Sequence, residues 1–60
     1  MRLKIEMEIE LPDVPHTEEQ LEEFIRFEAS DNGSIDGDNP FYAYGCSIVP
    51  IFGTLEYEVI

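Results

Sequence analysis

The residues of this sequence that could do chemistry are few, and most of them are carboxylates. Glu6, Glu8 and Glu10 recur at every second position near the N-terminus, and Glu56 and Glu58 repeat that spacing near the C-terminus. Period-two spacing places side chains on one face of a β-strand, about 6.6–6.8 Å apart. Glu18, Glu19, Glu22 and Glu23 form a second acidic group in a segment with helical character, and Asp31, Asp36 and Asp38 form a third in a polar stretch. Ordered carboxylates of this kind steer and hold cationic surfaces.

The other reactive residues complete no catalytic constellation. His16 and Cys46 are the only histidine and the only cysteine. One of each cannot build a zinc site within the chain. As a nucleophilic dyad they lack a third, orienting group and a cleft. His16 is expected to pack near Leu21 just before a helix, and Cys46 to act as a small buried hydrophobe. The stretch 31–38 invites a test for calcium. A twelve-residue calcium loop begun at Asn32 places Ser34, Asp36 and Gly37 in register, but its twelfth position is Ala43, where a bidentate glutamate is required. Begun at Asp31 it puts Gly33 and Ile35 at ligand positions, so a polar turn is the reading. No enzyme activity, cofactor or metal is expected.

The bulk numbers agree with a binding role. The 60 residues carry fourteen acidic and three basic side chains, a formal net charge of −11. Three cations cannot line a groove for a nucleic acid backbone, which excludes direct nucleic acid binding. The opposite role fits better. Duplex DNA presents one charge per ~1.7 Å, and two adjacent strands with a carboxylate at every second residue reach about half that density. A basic protein surface, such as that of a nucleic-acid-binding protein, is the expected partner, engaged by Glu6, Glu8, Glu10, Glu56 and Glu58 with help from Glu19, Glu22 and Glu23. The alternative is a small structural or assembly module that homo-oligomerises, its charge serving solubility. No apolar run approaches the ~18 residues of a transmembrane helix. The alternating N-terminus is not a signal peptide, so a cytoplasmic protein is expected.

The elements that must position these groups follow from periodicity. Residues 2–10 alternate, with Leu3, Ile5, Met7 and Ile9 on one side, which predicts a half-buried strand. Pro12 and Pro15 interrupt it. Thr17 with Gln20 three residues on is a capping-box pattern. Leu21, Phe24 and Ile25 then form an apolar helical stripe, and Glu22 and Arg26 stand four residues apart. The helix should stop near Ala29 or Ser30. Glu28 falls within the stripe and either reaches water at an edge or binds an amide of the 31–38 loop. Ile35 is the loop's one apolar residue and should tuck into the core edge. Tyr42, Tyr44, Cys46 and Ile48 alternate and suggest a strand over 42–49. Thr54–Ile60 alternates more clearly, with Leu55, Tyr57 and Val59 on one side.

One domain spanning 1–60 is expected, of α+β class. One helix packs on a small two- or three-stranded, mostly antiparallel sheet in β-α-β-β order. A domain this small buries only about 60% of its unfolded surface. The single cysteine excludes an intrachain disulfide, so oligomerisation or a partner is the expected support. Antiparallel pairing of the first and last strands would set Arg2 and Lys4 near Glu58 and Glu56.

Three stretches together carry a resemblance. They are Thr17-Glu18-Glu19-Gln20-Leu21-Glu22-Glu23-Phe24-Ile25-Arg26-Phe27-Glu28, Gly37-Asp38-Asn39-Pro40-Phe41 and Phe52-Gly53-Thr54-Leu55-Glu56-Tyr57-Glu58. With the glutamate-bearing strand before them, they resemble short acidic proteins encoded by bacteriophages. That resemblance implies the cytoplasm of a bacterial host and an inhibitor directed at a host protein. It assigns no residue a role.

Overall fold

A computed structural model of the chain describes residues 1–60. Four elements occur in the order β1 (Leu3–Glu6), α1 (Glu18–Glu28), α2 (Pro40–Ala43) and β2 (Glu56–Val59). The class is a small α+β arrangement with one two-stranded antiparallel sheet.

Helix α1 forms for local reasons. Thr17 is extended at the N-cap, its hydroxyl accepts from the Gln20 amide at 3.2 Å, and Gln20 Oε1 accepts from the Thr17 amide at 3.0 Å. This capping box satisfies two of the donors that every helix start leaves open. Glu18 and Glu19 sit in the first turn, where the helix dipole favours negative charge. The helix ends in a Schellman motif. Ser30, at φ +62°, donates to the Phe27 carbonyl and Asp31 donates to that of Arg26.

Residues 42–49 do not form a strand. They hold the end of the one-turn helix α2 and an irregular run. Asn39 caps that turn by accepting from the Phe41 amide at 3.0 Å, and Pro40 fills the first helical position. Gly45, at φ +67°, closes it as Cys46 donates to the Phe41 carbonyl. The Asn-Pro start and the glycine five residues after the proline outweigh the apolar alternation. One antiparallel bridge, Ile9 to Pro50, is all that a third strand contributes.

The helix does not lie on the sheet either. It packs on α2, where Phe24 and Phe41 meet with ring centroids 5.4 Å apart and His16 tilts against Phe41 at 4.9 Å. Phe24, Phe41 and Asn39 are each 1% exposed and are the only fully buried residues. Ile35, the one apolar residue of the polar loop, is half-buried. All eight ladder positions of the sheet are exposed on both faces. The radius of gyration is 12.9 Å, against about 10.4 Å for a compact chain of this length. No helix touches a strand of the ribbon; the 7–17 and 44–55 segments connect them, and Ile9, Leu11 and His16 of the first lie beside Leu21, Ile25 and Phe41.

Candidate functional site

The register of the ribbon sets the environment of its carboxylates. Leu3 faces Val59, Lys4 faces Glu58, Ile5 faces Tyr57 and Glu6 faces Glu56. The expected antiparallel pairing is present, displaced by two residues. Arg2 lies opposite Ile60, whose amide donates to the Arg2 carbonyl at 2.9 Å. A two-residue displacement keeps every side chain on its own face, so the apolar and charged faces stay as the alternation implied. It changes the charge pairing. Glu6 now meets Glu56 directly, a like-charge pair, and Lys4 Nζ lies 3.9 Å from Glu6 Oε1.

Contacts beyond the ladder hold this register. The Glu8 carbonyl accepts from the Ile51 amide at 2.8 Å, and the Glu8 amide donates to Thr54 Oγ1 at 3.2 Å. Thr54 closes a turn back to Ile51, with Gly53 at φ +86° in the third position, a backbone state that glycine adopts at no steric cost. Phe52 stands fully exposed at the tip of that turn. Three more residues separate Glu56 from Pro50 than separate Glu6 from Ile9. The regular carboxylate ladder therefore ends at Glu6, and Glu8 and Glu10 follow on an irregular arm. The substitution Glu56→Lys should stabilise the chain by about 0.2–1 kcal/mol by giving Glu6 a cation across the strand. With Glu56 opposite Lys4 instead, the same change would destabilise, so the sign of the shift in a urea midpoint reports the register.

The helix carboxylates divide by role. Glu22 Oε1 accepts from Arg26 Nε at 3.0 Å, and Arg26 also pairs with Asp31. Hydrogen bonding to Glu22 first, then to Asp31, raises the guanidinium pKa above its ordinary value. Glu23 is structural. Its Oε1 accepts from Asn39 Nδ2 at 2.9 Å and from the Asp36 amide at 3.3 Å. It is therefore Glu23 that binds an amide of the 31–38 loop, and Glu28 is half-buried with no such bond. Asn39 Nδ2 donates also to the Gln20 carbonyl at 2.8 Å. Sequence reasoning missed Asn39, although an asparagine before a proline is a helix-start signal. The side chains of Glu8, Glu10, Glu19 and Glu56 make no hydrogen bond or ion pair.

His16 Nδ1 lies 2.7 Å from the Val14 carbonyl, which can only accept, so this nitrogen carries the proton. Cys46 is half-buried. No three His, Cys, Asp or Glu side chains converge to hold a metal ion, and no helix is long and apolar enough to cross a membrane. No protein-family model, curated protein or solved structure matches the chain.

Proposed function

We propose that this chain is a non-enzymatic binding protein that engages a basic surface on a protein partner. The observation that carries the reading is the distribution of charge compensation. Lys4 and Arg26 form ion pairs only with Glu6, Glu22 and Asp31, which leaves eleven of the fourteen acidic side chains without an ion-pair partner in the chain. Glu6, Glu8 and Glu56 line one hollow at the turned end of the ribbon, with Glu58 next along β2, Glu10 further along the arm and Glu19 on the helix. Glu22 and Glu23 contribute to the field but are held by partners of their own. Lys4 interrupts the ladder, so resemblance to a nucleic acid rests on total charge rather than on regular spacing. The likeness to short acidic phage proteins directs the search to a bacterial cytoplasm and to host proteins with polyanion-binding sites. The bare apolar side of the ribbon favours a second reading, a module that homo-oligomerises with its charge serving solubility.

Affinity capture from bacterial lysate at low and high salt separates the two. The expected result is a discrete basic protein held at low salt and released at high salt. Replacement of Glu8, Glu10, Glu56 and Glu58 by glutamine should cut that capture at least tenfold, since steering and charge pairing both go with the carboxylates. Undiminished capture by the glutamine variant would sink the reading.

A further inference from the structure

Strand β1 pairs with β2 on one side and with nothing on the other. The Ile60 amide donates to the Arg2 carbonyl at 2.9 Å, and the Glu8 carbonyl and amide are engaged by Ile51 and Thr54. Even-numbered residues thus turn their backbone groups toward β2, and antiparallel alternation turns those of Leu3, Ile5 and Met7 outward. None of these outward groups bonds to a turn, loop or cap, and residues 2–8 are exposed throughout. Such an edge is a ready template for another strand. We infer that the strand it takes is β1 of a second copy, antiparallel about a two-fold axis at Ile5.

Charge selects both the occupant and the register. Arg2, Lys4, Glu6 and Glu8 follow one another along one face in the order plus, plus, minus, minus. Reversing that strand on itself about Ile5 sets Lys4 of each copy opposite Glu6 of the other, and Arg2 opposite Glu8. Every charge meets its opposite, at the non-hydrogen-bonded positions where opposed side chains come closest. On the other face Leu3 meets Met7, and Ile5 meets its own copy. A slip of two residues sets Lys4 against Lys4 one way and Glu6 against Glu6 the other. A foreign strand of one sign fits less well, since a basic one meets Arg2 and Lys4 and an acidic one meets Glu6 and Glu8. The outer edge of β2 lacks the pattern, because self-pairing about Tyr57 opposes Glu56 and Glu58. Lys4 and Glu6 are 62 and 71% exposed and approach each other only to 3.9 Å, so both are free to turn to the second copy. The product is a four-stranded sheet in place of a two-stranded ribbon, which alone is marginal in water. The dimer goes beyond the binder reading and does not depend on it, as Glu10, Glu56 and Glu58 stay outside the seam.

The test uses the full chain at about 0.15 M salt, where repulsion between charges more than ~8 Å apart is largely screened. Sedimentation equilibrium should show association that stops at the dimer. Hydrogen exchange should show the Leu3, Ile5 and Met7 amides gaining at least tenfold protection as concentration rises through the dimer range. Charge reversal reads the register. The variant Arg2→Glu, Lys4→Glu makes the edge wholly acidic, and Glu6→Lys, Glu8→Lys makes it wholly basic. Each alone should dimerise at least tenfold more weakly than the parent, and an equimolar mixture should recover a one-to-one heterodimer. The basic variant also replaces the Glu6–Glu56 opposition within the ribbon by an attraction, which keeps that ribbon folded. Should the acidic variant fold poorly, the exchange of the unaltered chain reports the same seam. A monomer at every concentration, or a ladder of species beyond the dimer such as a β1-to-β2 edge contact would give, would overturn the proposal. So would a dimer that leaves the Leu3, Ile5 and Met7 amides unprotected, or a mixture of folded variants that associates no better than either alone.

Discussion

Replacing Phe24 by alanine should cost about 3–5 kcal/mol and leave the helical half largely unfolded at room temperature. Phe24 and Phe41 are the only fully buried apolar side chains, and their rings meet. A chain of this length has a total stability of roughly 3–9 kcal/mol at 0.05–0.15 kcal/mol per residue, so one ring is a large share of it. Circular dichroism at the helical band should show the loss directly. Any surviving melting transition should fall by more than about 12 °C, at 4–8 °C per kcal/mol. Phe24→Leu retains most of the buried surface and should recover the greater part of the signal. A melting temperature unchanged in Phe24→Ala would mean that the core lies elsewhere.

The substitution Asn39→Asp should be nearly as damaging, for a different reason. Aspartate serves as well as asparagine at an N-cap, so the bond from the Phe41 amide survives. What is lost is the amide Nδ2, which joins α2 to the Gln20 carbonyl and to Glu23 Oε1. In its place a carboxylate meets two acceptors at a position 1% exposed. Two donated bonds and an unpaired buried charge put the loss at about 3 kcal/mol near neutral pH. The sign of the pH dependence identifies the cause. Burial and the Glu23 carboxylate raise the folded-state pKa of the introduced carboxyl above its unfolded value. The protonated form is a donor again, so the variant's stability is fully present below the unfolded pKa and is lost as pH rises through the folded pKa. Urea titrations of the variant relative to the parent at pH 4 and pH 7 should show the deficit shrinking at pH 4. A deficit equal at both values would mean that lost packing rather than charge sets the effect.

These two residues differ in how visible they are before folding. Phe24 lies in a stripe with Leu21 and Ile25, and a period near 3.6 marks it as inward-facing. The capping box of Thr17 and Gln20 and the Glu22–Arg26 pair are equally legible, since each depends on residues three or four apart. Asn39 and Glu23 are sixteen positions apart, and nothing local announces their bond. The same distinction separates the candidate carboxylates. All of them are evident as charge, but only long-range pairing decides that Glu23 holds a loop, that Glu6 confronts Glu56 and that Glu8 and Glu10 leave the ladder.

The sequence by itself determined the charge, helix α1 with its cap, and the division of both strands into an apolar and a charged face. Those properties depend on counts and on spacings of two to four residues, which the chain carries whatever its neighbours do. The tertiary structure alone decided the register, the choice of α2 over the sheet as the bed for α1, and the open ribbon that results. Each of these is a competition between distant partners. Phe41, capped into a turn by Asn39 and Gly45, takes up the buried face of the helix. With that face engaged, the ribbon keeps its apolar side exposed.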